Sequence, residues 1–368
     1  MKILLTIRSL NFGGAERQWV NLAKGLYARD DIELLLCTFY SGGDLYDEVS
    51  HLPYVCVDKK GKSDFLFLCR YRKIIKDFKP DVIYAFMPDS NLFSLFASAF
   101  LNIPVVFGFR SSAINVTKLP FFSKAYFYAQ KYCSKYAKAI VCNSNDAISF
   151  YKEYGYFMDR ACVVYNGIDT ACVKDRDNIL KERLNLPKES IIFGIAARMN
   201  KVKDYPLFAK AARYLCGKNS NVYFISIGKI DDVILRECLD VLGDFKDRVL
   251  FLGAKDNVWY YYSIFDFILS TSYTESFSNS IAEGMACGAL PIVSDVGESA
   301  VIANFGQDYK FCFNKRDERG LYKCLDSVIS LSNDEKIRLS FESKKHIIDR
   351  FSISKMVDNT CEVLGKCI

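Results

Sequence analysis

Two glutamates with seven residues between them, Glu275 and Glu283, bracket the segment Glu275-Ser-Phe-Ser-Asn-Ser-Ile-Ala-Glu283, which runs into Gly284-Met-Ala-Cys-Gly288. Ahead of it, Phe265-Asp-Phe-Ile-Leu-Ser-Thr271 has the short apolar character of a buried strand. Behind it, Ser and Asn offer helix caps, Gly288 offers a stop, and Leu290–Asp295 reads as the next strand. This order aims the free N–H groups of a helix start at the space beyond the strand's carboxyl end, where anions bind. One carboxylate is then expected on the loop and the other inside the first helical turns. Carboxylates bind phosphate poorly but accept hydrogen bonds from hydroxyls and amides, so an anionic, hydroxyl-rich ligand such as a nucleotide sugar fits the pair. A plainer pattern fits the same residues: Ser280 and Glu283 make an S-x-x-E capping box, and Glu275 is an ordinary loop carboxylate.

Two further groups stand at expected strand ends. Arg198-Met-Asn-Lys-Val-Lys203-Asp204 follows the apolar run Ile191–Ala197. An arginine fork and a lysine point charge there suit a diphosphate, and would stabilise the charge that grows on it as a glycosidic bond breaks. A solvated basic loop, with Lys201 beside Lys203, is the alternative. Near the N-terminus, Asn11-Phe-Gly-Gly-Ala-Glu-Arg17 lies between a first strand and a first helix. Gly13 and Gly14 let backbone approach a phosphate or sugar, or else serve a tight turn that needs positive φ. The pattern is not G-x-G-x-x-G, so the dinucleotide fingerprint is not met.

The elements that position these residues alternate strictly. Strand-length runs are expected at Lys2–Ile7, Ile32–Phe39, Asp81–Phe86, Pro104–Phe109, Ala139–Cys142 and Cys162–Tyr165, and again at Ile191–Ala197, Val222–Ile227, Val249–Leu252, Phe267–Thr271, Pro291–Ser294 and Phe311–Phe313. Amphipathic stretches such as Ala15–Tyr27, Leu66–Phe78, Ser144–Tyr154, Pro206–Cys216 and Val233–Leu242 separate them. Alternation of this kind predicts parallel sheets covered by helices on both faces, and two sets of strands predict two doubly wound, Rossmann-like α/β domains facing each other across a cleft. The expected domains are 1–170 and 171–350, with a helix in 351–368 returning to the first. Composition agrees with globular folding: 51% hydrophobic and 25% charged residues in 368. The apolar run near Leu92–Leu101 is well short of the ~20 residues of a spanning helix. Fourteen cysteines without a CxxC pair, and only His51 and His346, argue against zinc or a disulfide framework and for reduced thiols in the cytoplasm. A net charge of +6 does not argue for nucleic acid.

Taken together, Arg198-x4-Lys203, Glu275-x7-Glu283-Gly-Met-Ala-Cys-Gly, Gly13-Gly14-Ala-Glu16 and Asn166-Gly-Ile-Asp169 resemble the retaining glycosyltransferase family 4 over essentially the whole chain. The resemblance implies the GT-B fold, a first domain that binds the acceptor and a second that binds the nucleotide-sugar donor. It implies that Arg198 and Lys203 hold the donor diphosphate and that Glu283 accepts the ribose hydroxyls. Glu275 would lie against the sugar, with the backbone N–H groups of Phe277 and Ser278 nearby, and Gly13 and Gly14 would approach the donor. It implies no metal and no cofactor, and transfer of a hexose or N-acetylhexosamine, from a UDP-sugar first by frequency, with the leaving phosphate taking the acceptor's proton. Many relatives carry a histidine in the first domain. Here Val106-Phe-Gly-Phe-Arg110-Ser-Ser112 has Arg110 where it would stand, either binding sugar or acceptor or serving as a surface ion-pair partner.

Two aromatic-basic stretches, Lys62–Lys73 and Lys118–Lys138, suit an anionic membrane surface, with Lys124, Lys131, Lys135 and Lys138 on one side of a helical wheel. A helix packed on the sheet with a solvated lysine face also fits. The membrane reading favours a saccharide acceptor linked to undecaprenyl diphosphate and a peripheral location at the inner face of the cytoplasmic membrane. A nucleotide-sugar epimerase or hydrolase of the same fold, and a non-catalytic carbohydrate- or nucleotide-binding protein, are the alternatives.

Overall fold

The computed structural model describes residues 1–61, 63–112, 116–174, 176, 178–306 and 311–368. Lys62, the first residue of one aromatic-basic stretch, lies outside them. Two compact units emerge, one formed by Met1–Gly167 with Ile353–Ile368 and the other by Ile168–Ser352.

The first unit is built on β1 (Lys2–Ile7), β2 (Glu33–Thr38), β3 (Tyr54–Cys56), β4 (Val82–Phe86), β5 (Val105–Phe109), β6 (Ala139–Cys142) and β7 (Ala161–Val163). All pair in parallel, in the order β3-β2-β1-β4-β5-β6-β7. The central strands β1, β4 and β5 are almost wholly buried. Helices α1 (Gly14–Tyr27), α2 (Phe67–Phe78), α3 (Pro88–Ala97), α4 (Phe121–Cys133) and α5 (Asn145–Glu153) follow the strands. The sheet has one strand more than the sequence pattern indicates. Tyr54–Cys56 is a three-residue edge strand on β2, too short to display a period.

The second unit has β8 (Ile191–Ala196), β9 (Val222–Ile227), β10 (Val249–Phe251), β11 (Phe267–Ser270), β12 (Leu290–Ser294) and β13 (Cys312–Phe313), parallel in the order β10-β9-β8-β11-β12-β13. Its helices are α6 (Asn178–Arg183), α7 (Tyr205–Lys218), α8 (Asp232–Leu242), α9 (Trp259–Tyr262), α10 (Asn279–Ala286), α11 (Ser299–Ala303), α12 (Glu318–Ile329) and α13 (Asn333–Phe351). Phe193 stacks between Phe224 and Phe267, with ring centroids 5.0 and 4.6 Å away, which locks the three central strands face to face. Gly194 is required beside it, because a Cβ there would sit 2.0 Å from the Phe265 ring.

After α13 the chain returns to the first unit as α14 (Ile353–Gly365), which packs on α1. Met356, Val357 and Leu364 join the core of that unit. Gly25 on α1 makes the approach possible, since a Cβ would lie 2.5 Å from Val357.

His346 on α13 gives the second unit a pH dependence. Its ring packs 5.4 Å from Phe351 and 6.3 Å from Phe305, and its buried Nε2 has no hydrogen-bond partner among the described residues. Burial, reinforced by Arg350, pushes the imidazole down from 6.5 to about 4. The unfolded chain therefore binds a proton between these values that the folded chain refuses. The neutral imidazole's contribution is intact above 6.5 and is lost as pH falls toward 4. The unfolding midpoint in urea is expected to fall between pH 7 and pH 5, and His346→Leu is expected to flatten that slope. An unchanged slope in His346→Leu would show that the proton binds elsewhere.

Candidate active site

In the second unit the strand order reverses between β8 and β11, and the loops leaving these two strands diverge around a crevice at their carboxyl ends. Arg198 and Lys203 follow β8, and Glu275 and Glu283 follow β11, so the topology brings the two segments that carry them to the carboxyl ends of adjacent central strands.

The β8 loop stays paired beyond the strand. Ala197 N–H donates to Ile227 O at 2.8 Å and Met199 N–H to Lys229 O at 2.9 Å. Gly228 permits this, because at φ 140° its missing Cβ would be 2.0 Å from Ala197 O. Asn200 then caps a single 3₁₀ turn, Lys201–Lys203, its Oδ1 accepting from the N–H groups of Val202 and Lys203 at 3.0 and 3.2 Å. The turn decides between the two lysines: Lys201 is exposed, and Lys203 turns inward to pair with Glu275 Oε1. That oxygen also accepts from Ser272 Oγ at 2.7 Å. Thr271 Oγ1 donates toward the carbonyls of Lys203 and Asp204, at 2.8 and 3.1 Å, and Tyr273 N–H donates to Val202 O at 2.8 Å. Three residues of the β11 extension thus bolt the β8 turn in place. Asp204 completes it in the left-handed region (φ 45°, ψ 55°). Burial pushes its carboxyl up, against the Tyr273 hydroxyl and the Arg316 charge, which lower it. Arg198 is exposed, and among the described residues no carboxylate forms an ion pair with it.

Glu275 and Ser276 are clamped from the β12 side. Glu298 N–H donates to Ser276 O at 3.0 Å, and Gly297 (φ 55°) passes so close that a Cβ would lie 2.1 Å from Glu275 O. Ser278 is the N-cap of α10 and makes no side-chain cap bond, so its own hydroxyl does not cover the helix start. Phe277 and Ser278 are both buried, the Phe277 ring 5.7 Å from Phe351. The capping-box alternative does not hold. The helix begins at Asn279, which puts Ser280 inside it, and Glu283 Oε2 accepts from the Tyr262 hydroxyl at 2.9 Å. Burial and the Glu283 charge push the Tyr262 phenol well up, so it remains a donor. Gly288 ends the segment at φ 94°, as the sequence pattern indicates.

Gly13, Gly14 and Arg110 belong to the first unit. Gly13 is the N-cap of α1 in an extended conformation (φ −164°), and neither glycine has a positive φ, so the tight-turn alternative is set aside. An added Cβ at Gly13 would meet Glu16 Oε2 at 2.1 Å, a contact the flexible Glu16 side chain could relieve by turning away. Arg110 is not a surface ion-pair residue. Its guanidinium lies 3.9 Å from the Phe86 ring centroid and donates to the Tyr84 hydroxyl at 2.6 Å. Its Nε and Nη1 are buried without hydrogen-bond partners among the described residues. Neither histidine joins a site residue by a hydrogen bond or ion pair among the described residues, and no cluster of His, Cys, Asp or Glu among them is placed to hold a metal. Sequence reading missed Asn200, Thr271, Tyr262, Gly228 and Gly297. The glycines had a signal, each closely following an apolar strand.

The family model for Glycosyltransferase Family 4 matches residues 12–171, and that for glycosyl transferases group 1 matches residues 176–345. The chain belongs to glycosyltransferase family 4. Its two parallel α/β units have the GT-B architecture. It is 22% identical over 319 residues, 83% of the chain and 81% of the relative, to the UDP-Gal:α-D-GlcNAc-diphosphoundecaprenol α-1,3-galactosyltransferase of Escherichia coli. It is 23% identical over 365 residues, 93% of each, to a Campylobacter jejuni enzyme, the N-acetylgalactosamine-N,N'-diacetylbacillosaminyl-diphospho-undecaprenol 4-α-N-acetylgalactosaminyltransferase. Among solved structures, Anabaena HepE in complex with UDP superposes with a TM-score of 0.83 at 20% identity, over the whole of both chains. A Rickettsia africae glycosyltransferase superposes with a TM-score of 0.82 at 19% identity, covering 100% of this chain and 98% of that one.

The clamp on Glu275 is testable as structure. Gly297→Ala adds both a clash with a backbone carbonyl and an unfavourable φ, and is expected to cost more than about 2 kcal/mol. Gly365→Ala, where no atom lies within 4 Å of the added Cβ, is the control and is expected to be neutral. Denaturant unfolding of both variants reads the difference, and equal midpoints would remove the clamp.

Proposed function

We propose that this glycosyltransferase moves a hexosyl or N-acetylhexosaminyl group from a UDP-sugar to a saccharide carried on undecaprenyl diphosphate, with retention of configuration and without a metal ion. The arrangement at the carboxyl ends of β8 and β11 carries the reading: two cations, a helix start whose N-cap hydroxyl makes no cap bond, and two carboxylates that accept from hydroxyl groups all follow these two adjacent strands. The HepE complex with UDP and the undecaprenol-linked relatives support the donor and the acceptor class.

Each group then has a task. Glu283, fixed by Tyr262, accepts the ribose hydroxyls. Arg198, exposed and without an ion-pair carboxylate among the described residues, and the N–H groups at the start of α10 take the diphosphate. Lys203 neutralises Glu275 in the free protein and stabilises the diphosphate as charge accumulates on it. Glu275 turns its carboxylate to the hydroxyls of the sugar being moved. In the reaction the bond between the anomeric carbon and the diphosphate oxygen breaks, its electron pair staying on that oxygen. The acceptor oxygen bonds to the same face of the carbon, and its proton passes to the departing oxygen. No protein nucleophile is consumed.

UDP is expected to raise the melting temperature, since a ligand that binds only the folded state stabilises it by mass action. Arg198→Ala and Lys203→Ala are each expected to lower kcat/KM by about 10²–10³-fold, and Glu283→Ala to weaken UDP binding by about tenfold. EDTA is expected to leave the rate unchanged. Unchanged transfer in both Glu275→Ala and Lys203→Ala would place the site elsewhere, and UDP release that needs no acceptor would identify a hydrolase or epimerase.

Membrane contact belongs to the same proposal. Helix α4 buries only Phe127 and Gln130, while Phe121, Phe122, Tyr128 and Lys124 on it, and Tyr132, Lys135 and Tyr136 at and beyond its end, are exposed. The helix is shorter than the wheel assumed: it ends at Cys133, and Lys138 already leads into β6. A packed helix would solvate its lysines but has no need to expose its aromatics, and that observation favours an interfacial face. Among the described residues no helix is long and apolar enough to cross a membrane. We expect co-sedimentation with vesicles containing phosphatidylglycerol at low salt, weakened in Phe121→Ser/Phe122→Ser. Binding indifferent to both lipid charge and these substitutions would end the idea.

A further inference from the structure

Both ends of one short chain of contacts in the second unit stand in the left-handed region of backbone space. Asp204, next to Lys203, has φ 45° and ψ 55°, and Arg316, in the loop between β13 and α12, has φ 64°. Aspartate enters this region more readily than most residues, but an arginine rarely does, and such strain concentrates where function holds it. Tyr273, three residues past β11, joins the two. The Arg316 guanidinium lies 4.3 Å from the centroid of its ring. The Tyr273 hydroxyl interacts with both partners: burial and the Asp204 charge push the phenol up, and Arg316 lowers it. The phenol thus keeps a proton that it can offer to Asp204.

A surface stack of arginine on tyrosine needs no strained backbone, so the contact calls for another reason. Arg316 is exposed, follows the edge strand β13, and among the described residues no carboxylate forms an ion pair with it. Asp204 is 8% exposed, a rare setting for a carboxylate, and burial pushes its carboxyl up. The Tyr273 hydroxyl, the Leu207 N–H and the charges of Arg316 and Lys210 work the other way. The Asp204 carbonyl accepts from Thr271 Oγ1 at 3.1 Å, and that of Val202 accepts from Tyr273 N–H at 2.8 Å. Tyr273 therefore grips the Lys203 turn with its backbone and reaches Asp204 with its side chain. Backbone bonds fix where the turn lies, while the left-handed residue after Lys203 sets how the turn meets α7. A carboxylate kept out of water there costs stability unless donors and a cation answer it, and Arg316 answers it across Tyr273.

We infer that Arg316 is a positioning residue for the donor site, holding Asp204 through Tyr273 so that the left-handed turn keeps Lys203 aimed inward. Arg316 itself does not touch the diphosphate; it acts through the turn. The inference rests on the reading of Lys203 as a diphosphate ligand for the word donor, but the link from Arg316 to the turn stands on the geometry of the second unit alone.

The test uses the full chain with UDP as the probe. Two variants break the link: Arg316→Gln, and Tyr273→Phe, which keeps the ring and the backbone bond to Val202. Each is expected to weaken UDP binding about tenfold by calorimetry. Each is also expected to speed amide exchange in the peptide spanning 199–208, with exchange in the other strands and helices of the unit unchanged as proof of folding. Arg316→Lys keeps the charge and is expected to stay within about threefold of the wild type in UDP affinity. In the transfer assay Arg316→Gln is expected to raise the donor KM and leave the acceptor KM unchanged. UDP affinity unchanged in Arg316→Gln overturns the inference whatever the exchange shows. Arg316→Lys failing as badly as Arg316→Gln also overturns it, since the arginine would then be a packing group only. No UDP binding by the wild type, with exchange in the turn still dependent on Arg316 and Tyr273, would instead overturn the donor-site reading and leave the link to the turn standing.

Discussion

A parallel sheet wound outward in both directions from its first strand must send the loops of its two central strands apart, and everything chemical in this protein depends on that divergence. Within each unit the strand after the first reversal, β4 or β11, lies beside the founding strand, β1 or β8. The helices that follow are carried to opposite faces, so the carboxyl ends of the pair face open space instead of another loop. Polar groups placed elsewhere on either sheet would be covered by the next connection. Lys203 and Glu275 meet because two short segments, Arg198–Lys203 and Glu275–Glu283, both emerge at this one point.

Emergence alone does not hold a lysine and a carboxylate in register. The Lys203–Glu275 pair is mostly shielded, its side chains 22% and 12% exposed, and an ion pair so placed loses much of its attraction to desolvation. What fixes it is neutral hydrogen bonding around the backbone: Asn200 from below, Thr271 and Tyr273 from β11, and Glu298 across Gly297 from β12. These groups bind both peptide segments whatever the state of the charges. Separating the pair would therefore leave the loops in place, with its cost confined to two side chains, as the proposed diphosphate role of Lys203 requires. Pre-formed backbone with adjustable charge is the arrangement that favours charge developing late in a reaction over charge present from the start.

Much of this was legible in the residue order, and the limits of legibility have physical causes. Strands whose apolar run is bounded by turn residues, such as Lys2–Ile7 and Val222–Ile227, appear with the bounds their composition suggests. Tyr54–Cys56 does not, because an edge strand of three half-buried residues owes its conformation to its neighbour and not to its own pattern. Glu275, Glu283 and Lys203 could be chosen because each lies a fixed number of residues from a strand end. Thr271 and Tyr262 could not, since an ordinary threonine or tyrosine becomes a clamp only when pairing register brings it to another segment's carbonyl or carboxylate. The capping-box pattern at Ser280 shows the converse: correct spacing has no force when the helix is capped two residues earlier, at Ser278.

The two reversal points also show how one topology can keep charge in different ways. The β8/β11 point places cations near a helix start and leaves its arginine exposed, where holding the charge costs the free protein little. The β1/β4 point does the opposite, burying Asp89 with Arg8 Nη1 3.5 Å from its Oδ2, so that the carboxylate gives up water for a cation beside it. Two copies of one fold thus become chemically unlike through the side chains at a single place in each sheet.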